Sequence, residues 1–149
     1  MIASGWRLSG IVRLASGGYL TVQTGLDRAL NGVLTTVQRV DQVGNDPYGQ
    51  RTRNNWFNPS AFAQPALGGF GNSTRNGYEG PGRRNLDLSL ARAFPVGGTR
   101  RVEARVDALN AFNWFRWGDP ITNFADANFG RILTAEDPRI MQFALNFYF

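Results

Sequence analysis

The chain has no cysteine and no histidine among its 149 residues. Those two absences remove thiolate and imidazole metal sites, Cys or His nucleophiles and any Ser-His-Asp triad. No window approaches the ~20 apolar residues that a membrane-spanning helix needs. Residues 1–14, MIASGWRLSGIVRL, are interrupted by Arg7 and by glycines and do not read as a signal peptide. The net charge is +5, yet the arginines are spread along the chain and fall in no recognised nucleic-acid motif, so no nucleic-acid partner is expected. No pair of carboxylates is placed for glycosidase work. The expectation is a protein that is not an enzyme and carries no metal and no cofactor.

What is present is turn-forming and aromatic. Eighteen glycines and seven prolines argue for many turns and little helix. Eleven Phe and four Trp must be placed somewhere. Four stretches alternate with the period of a strand, in which successive side chains point to opposite faces. In GWRLSGIVRLA, Trp6, Leu8, Gly10, Val12 and Leu14 oppose Arg7, Ser9, Ile11 and Arg13. In RNLDLSLARAF, Leu86, Leu88, Leu90 and Phe94 oppose Asn85, Asp87, Ser89 and Ala91, with Arg92 a blemish on the apolar side. In RRVEARVDALNAFNWF, Val102, Ala104, Val106, Ala108 and Phe112 oppose Arg101, Glu103, Arg105 and Asp107. The last run, MQFALNFYF, sets Met141, Phe143, Leu145, Phe147 and Phe149 against Gln142, Ala144, Asn146 and Tyr148.

The connections between these runs are unequal. PVGGT (95–99) is a tight Gly-Gly hairpin signal. Residues 116–138 form a polar loop containing Trp117, Phe124 and Phe129, and residues 17–82 form a much longer stretch. Within it, 19–24 reads as an extension of the first strand after a bulge, and 32–43 as a short extra hairpin. A structureless connection of that length is unusual in a compact soluble domain. It is ordinary in outer-membrane barrels, where turns on one side are short and outer loops are long. The fold class expected is therefore all-β, with antiparallel transmembrane barrel strands.

In lipid every backbone polar group must be satisfied, so strands survive there only in a closed barrel with an apolar outside and a polar lumen. On this reading the lumen face carries Arg7, Arg13, Asp87, Arg101, Glu103, Arg105 and Asp107, charges of both signs that can pair across strands. Arg92 lies near the Pro95 turn, where snorkelling to headgroups limits its cost. The alternatives are a soluble carbohydrate-binding β-sandwich, which also has alternating strands, and a small complete eight-stranded barrel. The second requires four more spanning strands in 17–82.

The segments GWRLSGIVRLASG, WFNPSAFAQPALGGFGNSTRNGYEGPGRRNLDLSLARAFPV, VEARVDALNAFNWFRWGDP and FGRILTAEDPRIMQFALNFYF resemble, in order, the C-terminal part of Oar-like TonB-dependent outer-membrane receptors. The resemblance implies a large barrel plugged by an N-terminal domain, taking up bulky nutrients in the outer membrane of a Gram-negative-type bacterium. Its partners would be outer-membrane lipid, the barrel-assembly machinery, and the TonB complex through an N-terminal part that 1–149 does not contain. Phe143, Leu145, Phe147 and Phe149 resemble the C-terminal signal read by that assembly machinery. Four strands are too few to close a barrel, whose smallest examples use eight. Residues 1–149 are therefore expected to be the C-terminal part of such a receptor, with plug and upstream strands absent.

Weaker signals remain. Trp56, Phe57, Phe62, Phe70 and Tyr78 have the chemistry to stack on a sugar or siderophore-like ligand, against the favoured alternative of self-packing within a loop. GGFGNSTRNG (68–77) lacks a phosphate-loop context and reads as a flexible outer loop. Asp119, Asp126, Glu136 and Asp137 lack calcium-loop spacing and read as solvated acids.

Overall fold

The computed structural model describes residues 4–33 and 38–149. Its strands, in chain order, are β1 (Trp6–Ala15), β2 (Tyr19–Leu20), β3 (Asp41–Gln42), β4 (Tyr48–Thr52), β5 (Asn55–Phe57), β6 (Phe62–Ala63), β7 (Tyr78–Glu79), β8 (Arg83–Gly97), β9 (Arg100–Leu109) and β10 (Ile140–Tyr148). The one helical element among the described residues is a 3-10 turn, Pro59–Ala61, capped by the Asn58 side chain. The chain divides into two compact units.

The first unit holds the four long strands as one antiparallel sheet, in the order β1-β8-β9-β10. These are the four alternating runs of the sequence. The register sorts the side chains into rows. One row across the sheet is Leu8, Leu90, Val106 and Phe143, and the next is Gly10, Leu88, Ala108 and Met141. On the opposite face lies Ser9, Ser89, Asp107 and Gln142. No other described part of the unit covers the apolar face: Leu8 is 71% exposed and Phe143 76%. Removing such side chains from water is worth roughly 1.5–3 kcal/mol each. A contiguous apolar face left open in this way marks a surface built to meet lipid or a partner.

Local chemistry sets the ends of the strands. Gly97 (φ 112°) and Gly98 (φ 59°) take the positive dihedrals that close the turn between β8 and β9, next to a register shift at Pro95/Gly97. Ala93 donates its N–H to Gly5 at the last contact of β8 with β1. Pro95, two residues on, has its missing N–H on the side where β1 has already ended, a tolerated position for proline in a strand. The sequence pattern runs past Leu109 to Phe112, but β9 stops at Leu109. Asn110 adopts φ 50°, and its side chain bonds both the N–H (2.9 Å) and the C=O (3.0 Å) of Trp114. Ala15 lies opposite Arg83, and Leu109 opposite Ile140. Both long connections therefore leave the same end of the sheet, away from the tight turn.

The second unit, Ser16–Gly82 with Trp117–Ala135, contains the six short strands as pairs β2-β7, β3-β6 and β4-β5. Its core is aromatic. Phe57 is 1% exposed and lies among Tyr48, Phe62, Tyr78 and Phe129, with ring centroids 6.0–6.3 Å away. Val22, Val40 and Ile132 complete it. Gly130 (φ 73°) lets the chain pass so close to Phe57 that a Cβ there would lie 2.8 Å from the Phe57 carbonyl oxygen.

The readings of 17–82 are refined here. After a break at 16–18, Tyr19–Leu20 pairs with Tyr78–Glu79 in the register that β1 keeps with β8, so 19–20 resume the first strand's ladder while 21–24 form no continuous strand with it. The long connection is a folded body, because its aromatics find one another. GGFGNSTRNG is tied down through its own backbone N–H groups: Ser73 donates to the Val40 carbonyl, Asn72 to Asp41 Oδ1 and Asn76 to Thr21 Oγ1. The hairpin read at 32–43 falls partly on 34–37, outside the described residues, while Asp41–Gln42 pairs with Phe62–Ala63. Described strands within 17–82 reach at most five residues, short of the ~9–11 that a spanning strand needs. The further spanning strands of an eight-stranded barrel are not seen among them.

Candidate functional site

The polar face of the four-stranded sheet is the first candidate site. Its register brings Arg7, Arg13, Asp87, Arg101, Glu103, Arg105 and Asp107 onto one side. Arg7 Nη2 reaches both oxygens of Glu103 at 3.2 Å, spanning from β1 over β8 to β9. That reach is open because β8 presents only Ala91 and Ala93 beneath it. Arg13 Nη1 meets Asp87 Oδ2 at 3.1 Å, while Asp87 Oδ1 accepts from the Asn85 amide (2.7 Å) and the Asn110 N–H (3.0 Å). Arg105 Nε bonds Asp107 Oδ1 at 2.9 Å along its own strand. Arg101 stacks on Tyr148, 4.4 Å from the ring centroid. A shallow groove of about 380 Å³ runs between these groups, lined by Ser9, Arg13, Asp87, Ser89, Arg105, Asp107 and Gln142 among others. Hydroxyls, an amide and paired charges make this wall wettable, with each carboxylate satisfied before any ligand arrives.

At the loop end of the same sheet stands a cluster that the sequence reading did not single out. Glu136 bridges Arg83 Nε (3.2 Å) and Arg116 Nη1 (3.1 Å). Arg116 also donates to the Asp137 carbonyl at 2.9 Å. Glu136 is thus a clamp between arginines and not a solvated acid, which corrects the reading from spacing. Asp126 accepts from the Asn128 N–H at 2.7 Å and closes its own turn. The signal for the clamp was absent in one dimension, since its members are far apart in sequence.

The aromatic residues singled out as ligand contacts form the second candidate. The structure brings Trp56, Phe57, Phe62 and Tyr78 together, but in the interior of the second unit, where all four are buried. Their polar atoms are used internally: Trp56 Nε1 donates to the Glu79 carbonyl (3.1 Å) and the Tyr78 hydroxyl to Gln42 Oε1 (2.7 Å). Burial pushes the Tyr78 phenol above its ordinary pKa. As found, these four rings pack on one another and present no face to a ligand. Phe70 is different, with 70% of its surface open.

A buried glutamine organises the neighbouring loop. Gln38 accepts from the Arg28 and Ala29 N–H groups through Oε1 (2.7 and 2.9 Å) and donates to Asp27 Oδ1 at 2.6 Å. That amide, together with the N–H groups of Gly32 and Asn31, holds the Asp27 carboxyl below its ordinary pKa, against some opposing desolvation.

Phe143, Leu145 and Phe147 of β10 lie exposed on the apolar face, and Phe149 follows with its ring 6.0 Å from that of Phe147. No helix among the described residues is long and apolar enough to cross a membrane, which says nothing of crossing by strands. A family model described as an outer membrane beta barrel domain matches residues 1–142. No curated protein and no solved structure matches the chain.

Proposed function

The chain belongs to the outer membrane beta barrel domain family and resides in the outer membrane of a Gram-negative-type bacterium, and from that premise we propose that it supplies barrel wall and external loops to an Oar-like, TonB-dependent receptor that takes up a bulky nutrient. One observation carries this reading: a single sheet has an uncovered apolar face on one side and a wall of paired charges on the other. Lipid takes the first face and the aqueous lumen takes the second, as barrel strands require. The tight Gly97–Gly98 turn is then periplasmic, and the folded second unit belongs to the external loops.

The chain acts by holding and admitting a ligand, without catalysis or cofactor. Ligand contact falls to the open surface of the second unit, where Phe70, Leu67 and Tyr19 are exposed. Its partners are the lipid around it, the machinery that inserts barrels, for which β10 with Phe149 is the address, and the TonB complex through a plug-bearing segment. The test is uptake by cells of a labelled nutrient pool fractionated by size. Deleting the gene is expected to abolish uptake of fractions too large for passive pores, and an uncoupler of the inner membrane is expected to mimic the deletion. Unchanged uptake of large solutes in the deletion strain, or a defect confined to small solutes and insensitive to the uncoupler, refutes the proposal.

A further inference from the structure

Two arginines of β8 point to the apolar face, and both lie on aromatic rings. Arg84 sits over Trp114, with its guanidinium carbon 5.1 Å from the ring centroid. Arg92 lies between Trp6 (4.9 Å) and Phe94 (4.8 Å). Between them the face is Leu86, Leu88 and Leu90. Eight residues of strand span roughly 26 Å, or about 20 Å of membrane depth once strands tilt by ~35–45°. The apolar band of an outer-membrane barrel is about 25 Å tall. The two guanidiniums therefore mark the two boundaries of the band, reached by side chains that extend toward the polar zone.

Arg92 is the more demanding case. Its Nε is buried and has no hydrogen-bond partner, and among the described residues it has no ion pair with a carboxylate. A guanidinium on a lipid-facing surface is tolerated at the edge of the apolar band, where a headgroup anion can meet it. The described residues offer no anion there, and the nearby turn adds more positive charge: residues 92–101, RAFPVGGTRR, contain three arginines and no acid. Trp6 and Phe94 hold the guanidinium at these distances, and with Nε enclosed its terminal nitrogens Nη1 and Nη2 are the pair left for the bidentate contact that arginine makes to phosphate. We propose that Arg92, held by Trp6 and Phe94, binds the phosphodiester of an anionic glycerophospholipid in the periplasmic leaflet. The acyl chains of that lipid lie over the adjoining row of Leu8, Leu90 and Phe143.

The proposal rests on the lipid-facing assignment of this face and is independent of what the receptor transports. Its test uses the full-length protein extracted from outer membranes, exchanged into mild detergent with equal amounts of phosphatidylglycerol and phosphatidylcholine, with bound lipid counted by native mass spectrometry. The wild type is expected to retain phosphatidylglycerol over phosphatidylcholine, whose choline cation competes for and cancels the phosphodiester charge that both lipids carry, by about fivefold, the effect of one basic residue on a net anionic headgroup. Arg92→Gln is expected to lose that preference, while Arg100→Gln, at the exposed turn, keeps it. Equal retention of both lipids by the wild type overturns the proposal, as does a preference that survives in Arg92→Gln or is lost equally in Arg100→Gln. The wild-type comparison requires no variant and decides the matter if Arg92→Gln fails to assemble.

Discussion

Phe57 shows how one side chain carries a body without a large aliphatic core. It stacks on Tyr48 and Phe129 and meets Phe62 and Tyr78 edge to face. Phe57→Ala is expected to cost about 3–5 kcal/mol, the range for deleting a buried ring. Hydrogen exchange at the Ile132 amide, which donates to the Arg53 carbonyl at 2.8 Å, reports that loss, whereas Phe70→Ala leaves the exchange unchanged. A second residue-scale outcome concerns acid. Asp27 has a folded pKa below its ordinary value of 3.8, so its contribution is complete above that value and disappears as pH falls through the depressed one. The protection of the Asn31 and Gly32 amides, both donated to Asp27, measured as the exchange rate relative to the intrinsic rate at each pH, is expected to fall in that acid window and to stay constant between pH 5 and 7. Asp27→Asn removes the step. The aromatic residues were visible in the sequence but not their fate, because a core and a stacking platform use the same residue types and differ only in what surrounds them.

The strands are the elements that the sequence states most openly. Period-2 alternation is written locally, so β1, β8 and β10 were legible to within a few residues, and the Gly-Gly turn identified the β8–β9 hairpin. What alternation omits is register. Arg7 and Glu103 face each other only because Trp6 lies opposite Arg92 and Ala93 opposite Glu103, and no local pattern encodes that. The two-residue strands of the second unit were illegible for a related reason, since two residues show no period. Their positions depend on side-chain bonds such as those linking Asn72 with Asp41 and Gln42. The sidedness of the sheet gives a direct test on neighbouring residues of one strand. Leu88→Arg, on the lipid side and midway between Arg84 and Arg92, is expected to destabilise the assembled protein by about 2–4 kcal/mol. Ser89→Arg, on the polar face, is expected to cost far less. Urea unfolding in detergent or bilayers, read by tryptophan fluorescence, measures both, and equal costs would remove the distinction between faces.

At the scale of the whole molecule, orientation is the open quantity that cells can report. Residues 1–149 contain no cysteine, so labelling above that of the unsubstituted protein reports the introduced cysteine. Phe70→Cys, in the second unit, is expected to react with a membrane-impermeant maleimide on intact cells. Thr99→Cys, at the β8–β9 turn, is expected to react only after the outer membrane is permeabilised. The opposite pattern would invert the assignment of periplasmic and external ends.

The way the connections leave the sheet has a further consequence. The longer one departs after Ala15 and returns at Arg83, its cross-strand partner, and just beyond that pair Gly80 N–H donates to the Gly18 carbonyl at 2.8 Å. The shorter one departs at Arg116 and returns at Glu136, whose N–H donates to the Arg116 carbonyl at 2.9 Å, with Trp117 bridged to Ala135 immediately after. Each insert thus hangs from a neck two strands wide, so its length and content place no demand on the wall. Under the proposed receptor reading, a change of nutrient can exchange these inserts wholesale, as one swaps the head of a tool and keeps the handle, and a graft of foreign loops at the same two necks should still assemble.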